Sequence, residues 1–293
     1  MTLTGHAPLF RSLYRQSLSG TRINEDGLGL LGPFAWIIDG ATGLSTEQLT
    51  RGGSDAAWLA GTIGETLERL AGEESQGTEV LNRLEAEIEA RFQSATAHLP
   101  GRHVHHAPSA CLGLVQIREA DGGTVKVEGF FLGDVVALVP TEQGIVRWTD
   151  ERAKPFEGKT LAALGAGGHE PGVIPEAVRR QILDNRTRLN QPDGYWVVSP
   201  CQPWAGHELR FEAKVPAGEP IVLATDGFMR LVDVFSAYSD HALHAALAES
   251  RGDDLIEELR ALERGDSLSG AFPRVKMHDD ATVLVITAAG SSG

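Results

Sequence analysis

Segments with helical and with extended hydrophobic patterns occupy separate blocks of this 293-residue sequence. Apolar residues recur every three or four positions in 54–71 and 78–98, which predicts two amphipathic helices. Four short β-rich runs separated by glycine-containing breaks then predict a meander of strands. These runs cover residues 109–117, 123–132, 135–140 and 144–148. Because a parallel α/β sheet needs strands and helices in alternation, the blocks predict an α+β fold with antiparallel sheets.

Regular patterning returns late in the chain, after an irregular stretch. Residues 150–219 contain glycine-rich and proline-rich loops and one predicted helix at 175–190. The run 220–228 predicts a strand that continues into a helix through Phe235. Two more helices and a closing strand are predicted at 239–249, 253–264 and 281–287. The second half therefore again favours segregated helices and strands.

A predicted hairpin near the start of the chain sets two aspartates opposite each other. Residues 27–39 contain two short apolar runs around Gly32 and Pro33, a pattern typical of two antiparallel strands. With the turn centred on these two residues, Asp26 faces Asp39 across the hairpin. Directly opposed side chains have Cβ atoms roughly 5 Å apart, and like charges there are destabilising. We therefore expect a cation between the two carboxylates.

Further aspartates stand at the ends of other predicted strands. These are Asp134, Asp226, Asp279 and Asp280. In an antiparallel sheet the carboxyl end of one strand lies beside the amino end of its neighbour, so all of them can converge with the hairpin pair at one sheet edge. Oxygen ligands suit Mg²⁺ or Mn²⁺, and no Cys or His pair has zinc-ligand spacing. Taken singly, each of these aspartates is better explained as a turn or capping residue than as a ligand; only the whole set together indicates a site.

The charge balance limits the partners of such a site. The chain has 26 Lys and Arg against 40 Asp and Glu, a formal net charge of −14. The sequence has no basic cluster, which argues against nucleic-acid binding and against docking on anionic membranes. The first twenty residues lack the apolar core of a signal peptide, and the two cysteines have no disulfide or zinc spacing. We therefore expect a cytoplasmic protein.

Three histidines form a separate cluster before the predicted meander. They are His103, His105 and His106. We favour a solvated loop over a ligand set, since no carboxylate or cysteine partner is suitably spaced. The sequence leaves their role open.

Six short motifs occur in an order and spacing that resembles one enzyme family. They are NED (24–26), IIDGATG (37–43), PSACLGLV (108–115), FLGD (131–134), LATDGF (223–228) and DDATVLVI (279–286). Together they resemble the metal-dependent protein phosphatases, the type-2C serine/threonine phosphatase family, in their bacterial form. The resemblance runs from about residue 20 to residue 287. It implies a sandwich of two antiparallel β-sheets flanked by helices, with 1–293 as a single domain and a variable flap within about 150–219.

The resemblance also implies two Mg²⁺ or Mn²⁺ ions at one end of the sandwich. By position, Asp39 would bridge the two ions, and the carbonyl of Gly40 would add a ligand. Asp226 and Asp279 would hold one ion. The other would be held by Asp26, directly or through water.

Two further acidic positions match the family at the edge of this site. Glu25 would lie beside the second ion. Asp134 would join Asp226 at a weaker third metal, as in bacterial members.

The implied activity is hydrolysis of phosphoserine or phosphothreonine in proteins. Two metals lower the pKa of a bridging water and hold phosphoryl oxygens for in-line attack, so no side-chain nucleophile is needed. Consistent with this, the sequence has no DxDxT motif and no Cys-x5-Arg loop. Cys111 is followed by LGLVQI and Cys201 by QPWAGH.

The sequence departs from the family at two positions that touch substrate. Family members often carry a phosphate-binding Arg five residues before the equivalent of Asp26; here that position is Thr21, and Arg22 follows it. A one-residue shift in an extended segment turns a side chain to the other face, so we expect Arg22 to be misplaced. Eukaryotic members have a general-acid His where this chain has Ala41, which favours substrates with good leaving groups.

These departures keep two alternatives open. One is a phosphatase of small phosphate esters, and the other is a catalytically weak member that acts as a regulatory binding module. The partner is thus a phosphoprotein or a small phosphate ester, and the sequence does not determine the oligomeric state.

Overall fold

A computed structural model describes residues 9–41, 48–73, 76–99, 106–121, 123–165 and 174–289. The strands are β1 (Leu9–Leu18), β2 (Asp26–Leu31), β3 (Phe34–Ala41), β4 (Ser109–Asp121), β5 (Thr124–Leu132), β6 (Val136–Thr141), β7 (Gly144–Trp148), β8 (Leu209–Pro216), β9 (Pro220–Ala224) and β10 (Ala281–Ala289). The α-helices are α1 (Asp55–Ala71), α2 (Gly77–Thr96), α3 (Lys154–Leu164), α4 (Glu176–Arg186), α5 (Asp226–Asp233), α6 (Asp240–Ala248) and α7 (Gly252–Gly265).

The strands form two five-stranded antiparallel sheets that pack face to face. The first sheet has the order β1-β10-β9-β6-β7, and the second has the order β2-β3-β4-β5-β8. Side chains from both inner faces share one core, with Leu284 and Ile286 of the first sheet and Ile37, Val115 and Phe131 of the second. This arrangement confirms the predicted α+β sandwich of two antiparallel sheets.

Helices cover the outer face of each sheet. Leu59 of α1 and Leu84 of α2 pack with Trp36 on the second sheet. Phe228 of α5 and Leu255 of α7 pack on the first sheet. The result is a four-layer order of helices, sheet, sheet and helices. Among the described helices, none is both long and apolar enough to cross a lipid bilayer.

The predicted hairpin is confirmed in its register. Asp26 pairs with Asp39 across β2 and β3. Gly32 has a φ of 59°, and it stands at the first of the two turn positions, where the tight hairpin turn that Gly favours requires a positive φ. The apolar runs and this turn together fix the register, because a one-residue slip would turn every side chain to the opposite face.

Three elements were not predicted from the sequence, and all of them bury few side chains. In β1 only Phe10 is buried, and in β8 only Val215. Both strands lie at the edge of a sheet, where solvent-facing polar residues interrupt the alternation of apolar side chains. In α3 only Phe156 is buried. Elements with so little buried surface carry no strong hydrophobic period, which explains why pattern analysis misses them.

Two predictions concern segments that the structure describes only in part. His103 and His105 lie outside the described residues, whereas His106 is exposed just before β4. Within 150–219, the described residues form α3, α4 and β8. The assignment of this region as a flap stays a prediction.

Candidate metal centre

Carboxylates from both sheets meet at one end of the sandwich. Asp26 and Asp39 belong to the β2–β3 hairpin of the second sheet. Asp226 begins α5 just after β9, and Asp279 lies just before β10, so both adjoin strands of the first sheet. Asp134 lies between β5 and β6. The expectation of a single sheet edge is therefore wrong in this respect, because the site is built across the gap between two sheets.

Two buried threonines join the sheets at this end. The hydroxyl of Thr225 donates to Oδ2 of Asp26 at 2.9 Å, and it accepts the backbone N–H of Thr282 at 3.0 Å. Both threonines are fully buried. A buried hydroxyl that both donates and accepts has a fixed orientation. Asp26 is thereby held against the first sheet, although its strand belongs to the second.

The close approach of α5 to β10 depends on Gly227. A Cβ at this position would overlap the backbone oxygen of Asp280. Glycine alone permits this packing, which brings Asp226 beside Asp279. The glycine after Asp226 is therefore explained by packing of α5 on the segment before β10, and the simple turn interpretation is not needed.

The grouped carboxylates strongly perturb one another. Burial, together with the charges of Asp226 and Asp280, raises the pKa of Asp26 to about 8, although hydrogen bonds from Thr282 and Thr225 oppose the rise. Burial and then the charges of Asp226 and Asp26 raise the pKa of Asp39 well above its usual range. Burial and the charge of Asp279 raise the pKa of Asp226 to about 7. These carboxylates are thus buried close to one another, and each adds to the cost of ionising its neighbours.

Asp279 differs from the other carboxylates because two basic side chains of the protein form ion pairs with it. Burial opposes its ionisation, but Lys276 and Arg230 outweigh burial and lower the pKa of Asp279. The Lys276 ammonium lies 3.0 Å from Oδ1, and Nη2 of Arg230 lies 2.7 Å from Oδ2. Arg230 also donates to the fully buried carboxylate of Glu263 at 2.7 Å. Neither Lys276 nor Arg230 was anticipated from the sequence, since no motif or spacing marks them.

Two more groups around Asp134 were missed. Burial and a hydrogen bond to Asp134 raise the pKa of Glu157, on α3, to about 9. Cys111 on β4 pairs with Asp39 of β3, and burial and the charge of Asp134 raise the pKa of its thiol. A Cβ on Gly133 would overlap the Cys111 sulfur, and Gly133 has a φ of 74°. Glu157 could have been placed near Asp134 only if α3 had been predicted, and α3 has the weakest apolar pattern of the described helices.

A cavity of about 550 Å³ opens onto this end of the sandwich. Its wall includes Asp134, Asp226 and Asp279 of the carboxylate cluster, together with Glu157 and Lys276. A cavity of this size admits a phosphorylated side chain or a small ester.

Glu25 and Gly40 lie close together beside α1. The N–H of Gly40 donates to the carbonyl of Glu25 at 3.1 Å. The Glu25 carboxylate accepts the hydroxyl of Ser54 at 2.6 Å, and Ser54 is also the N-cap of α1. The Glu25 carboxylate is thus hydrogen-bonded to the residue that caps α1. The place of Glu25 beside a metal stays a prediction.

Asp280 holds the loop between β1 and β2. Its Oδ1 accepts the N–H of Gly20 at 2.7 Å, and its Oδ2 accepts the N–H of Glu25 at 2.6 Å. Both carboxylate oxygens are therefore used by backbone donors of one loop. An Asn side chain at this position would have one acceptor oxygen instead of two.

Asp280→Asn should loosen this loop. The amide NH₂ of Asn would face a backbone N–H, so one half-buried donor loses its acceptor at a cost of roughly 1 kcal/mol. We expect faster amide hydrogen exchange at Gly20 and Glu25 and a melting temperature lower by a few degrees. Asp121→Asn, at the exposed end of β4, is the matched control. Unchanged exchange at both amides would contradict this account of Asp280.

Arg22 lies in the same loop. Its side chain is exposed and does not contribute to the cavity wall. If Arg22 held a substrate phosphate, Arg22→Ala would weaken transition-state binding by roughly 1.5–3 kcal/mol. We expect less than a tenfold loss of kcat/KM, measured on p-nitrophenyl phosphate. A loss of a hundredfold or more with an intact fold would show that Arg22 does bind phosphate.

The donor set fits a hard divalent cation. The grouped ligands are carboxylate oxygens, which Mg²⁺ and Mn²⁺ prefer, and three of the carboxylates have raised pKa values that an added cation would relieve. Over the described ranges, no three His, Cys, Asp or Glu side chains share one ready-made ligand position. Some carboxylate oxygens instead accept hydrogen bonds from protein groups. Thr225 donates to Asp26, and the side chains of Arg230 and Lys276 donate to Asp279.

Solved structures with the same architecture are bacterial phosphatases. The catalytic domain of serine/threonine phosphatase PstP, in complex with two manganese ions, matches 96% of this chain and 99% of that domain, with a TM-score of 0.52 and 15% identity. The PPM phosphatase MsPP from Mycobacterium smegmatis, in complex with cacodylate, matches 94% and 98%, with a TM-score of 0.54 and 14% identity. Stp1 from Staphylococcus aureus matches 97% and 95%, with a TM-score of 0.52 and 14% identity.

The comparisons define the fold class of this chain. It has the fold of the PPM-type serine/threonine phosphatases over nearly its whole length, which confirms the resemblance indicated by the six motifs. No family model matches the sequence, and no curated protein does. The likeness to solved structures therefore rests on the three-dimensional fold, which matches although only 14–15% of the residues are identical.

Proposed function

We propose that this chain is a Mg²⁺- or Mn²⁺-dependent phosphatase that hydrolyses phosphoserine and phosphothreonine in proteins. The observation that carries the proposal is the cluster of mutually repelling aspartates at one end of a PPM-type sandwich. The solved structures with this fold are serine/threonine phosphatases, and one of them contains two manganese ions. Phosphoproteins are accordingly the proposed substrates, and a cytoplasmic location belongs to the same proposal.

The proposed roles follow the position of each residue. Asp39 would bridge two ions, with the Gly40 carbonyl as a further ligand, and Asp26 would serve one ion from across the hairpin. Asp226 and Asp279 would hold the other ion from the opposite sheet. When bound, the ions would supply a nucleophilic water of lowered pKa and would neutralise phosphoryl oxygens.

Two outer carboxylates extend the proposed site. Asp134 together with Asp226 would hold a weaker third ion, and Glu25 would lie beside the ion that Asp26 serves. The raised pKa of Asp226 has the charge of Asp134 among its causes, which supports placing the two carboxylates at a shared site.

This chain has no proton donor at the position where eukaryotic type-2C phosphatases carry a general-acid His. The residue two positions after Asp39 is Ala41, at the exposed end of β3. An Ala side chain cannot donate a proton, so substrates with good leaving groups should react fastest. This favours p-nitrophenyl phosphate as the first assay substrate.

Removal of metal is the direct test. Hydrolysis of p-nitrophenyl phosphate should require added Mn²⁺ or Mg²⁺ and should vanish with chelator. It should also resist thiol reagents, because no cysteine acts as nucleophile. Full activity of the metal-free protein would rule out the proposed chemistry.

Substrate class needs a second comparison. Rates on phosphoserine and phosphothreonine peptides should exceed rates on sugar and nucleotide phosphates at equal concentration. The reverse order would identify a small-ester phosphatase. Absence of turnover on any phosphate ester, with metal bound, would point to a regulatory binding module instead.

A further inference from the structure

Basic side chains line the cavity beside the carboxylates. They are Arg147, Lys154, Arg230, Arg274 and Lys276. Cationic hydrogen-bond donors bind the oxygens of a phosphate monoester strongly, so these side chains are candidates for holding one in the cavity. The three arginine side chains are at most 19% exposed, and each is bound to carboxylates of the protein. Only the two lysines therefore remain accessible to a ligand among the basic residues of this wall.

Lys276 is the lysine that adjoins the proposed metal ligands. Its side chain is 52% exposed, and its one carboxylate contact among the described residues is Asp279. Asp279 chiefly, with Asp39 and Asp226 as further causes, raises the pKa of Lys276. These interactions place the ammonium beside the carboxylate cluster. An ammonium has three donors, and a single contact leaves two of them available.

Lys154 offers a contrast on the same wall. Its side chain is 56% exposed, and its ammonium lies 2.7 Å from Glu151, three residues earlier in the chain. Lys276 and its partner are also three residues apart. The two lysines thus match in exposure and in the spacing of their ion pair. They differ in that Glu151 is a surface residue, whereas Asp279 belongs to the carboxylate cluster.

We propose that Lys276 binds the phosphate group of the substrate. The inference rests on the proposed function. A cation bound by Asp279 would neutralise the charge that now holds the ammonium, so that the ammonium would be free to pair with an anion in the same cavity. Lysine suits this role because its charge is compact and its stem is flexible.

The test measures inorganic phosphate as the ligand. Calorimetry would give its dissociation constant for the Mg²⁺-saturated protein, and kinetics on p-nitrophenyl phosphate would give KM and kcat. We expect Lys276→Ala to raise both the dissociation constant and KM by about tenfold or more, with kcat changed by less than about threefold. Lys276→Arg should recover most of the loss, because it restores a cationic donor. Lys154→Ala should stay within about twofold of wild type.

Metal binding is measured separately by titration of Mn²⁺ without phosphate. Lys276→Ala should bind Mn²⁺ at least as tightly as wild type, because a competing cation has been removed from Asp279. Weaker Mn²⁺ binding would make Lys276 a structural part of the metal site and overturn the inference. Phosphate binding equal to that of Lys154→Ala would overturn it as well.

The same measurements separate this inference from the proposed function. If wild type turns over p-nitrophenyl phosphate while Lys276→Ala binds phosphate normally, the phosphatase proposal stands and Lys276 has no phosphate role. If wild type shows no turnover but Lys276→Ala loses phosphate binding, the anion site stands and the phosphatase proposal fails.

Discussion

Asp39→Asn should lower metal-dependent hydrolysis by roughly a thousandfold or more, because the proposed bridging ligand loses its charge. The same substitution should act in the opposite direction on the stability of the metal-free protein. Asp39 faces Asp26 across the hairpin, and burial followed by the charges of Asp226 and Asp26 raises the pKa of Asp39. Asn keeps the shape and most hydrogen bonds while deleting one of the repelling charges. Metal-free Asp39→Asn should therefore melt no lower than metal-free wild type.

Added Mn²⁺ should reverse that order. A metal that binds only the folded state stabilises it by about 2.7 kcal/mol at a hundredfold excess over Kd. The mutant should lose most of this gain. Thermal melts with chelator and with Mn²⁺ are sufficient for the test, with Asp121→Asn as the control for loss of a charge at a strand end. An equal drop in melting temperature under both conditions would make Asp39 a structural turn residue.

The stability of the metal-free protein should fall as pH rises from about 4 to about 8. Asp26 has a pKa of about 8 and Asp226 a pKa of about 7 in the folded protein, whereas an unfolded Asp titrates near 3.9. The folded state therefore binds more protons than the unfolded state over this window. Stability is then highest below the unfolded pKa and is lost through the folded pKa.

The expected loss is on the order of 3 kcal/mol, since a tenfold change in proton affinity is worth about 1.4 kcal/mol and water in the open cavity screens part of the effect. For a chain of this size, that corresponds to a drop in melting temperature of about 5 °C or more. Asp26→Asn should flatten the pH profile. Saturating Mn²⁺ should abolish the fall, because metal binding requires the ionised carboxylates. A metal-free profile that rises steadily to about pH 9 would contradict the proposed electrostatics of the site.

Features that depend on neighbouring residues were predictable from the sequence. The β2–β3 register followed from two apolar runs and a turn at Gly32, and it set Asp26 opposite Asp39. The predicted helix of α1 likewise begins after Ser54, whose side chain caps it. Such signals act over a few residues, where hydrophobic period and turn geometry leave few alternatives.

Local sequence patterns did not predict the elements with few buried side chains or the basic residues that bind Asp279. β1, β8 and α3 bury too few side chains to have a clear pattern. Lys276 and Arg230 carry no motif, and their importance appears only when α5 and the segment before β10 pack together around Asp279. Pattern analysis identifies elements but does not determine which surface side chains a distant carboxylate will contact.

The sequence by itself determined the separate blocks of strands and helices and the pairing of Asp26 with Asp39, because hydrophobic pattern and turns are properties of the chain. The sandwich followed from the resemblance that the order of the motifs carries. The tertiary structure alone decided that these carboxylates meet across two sheets. The hydrogen bond between Thr225 and Asp26 joins residues 199 positions apart. Its geometry depends on how the two sheets pack, and packing is set by the whole core rather than by any local run of residues.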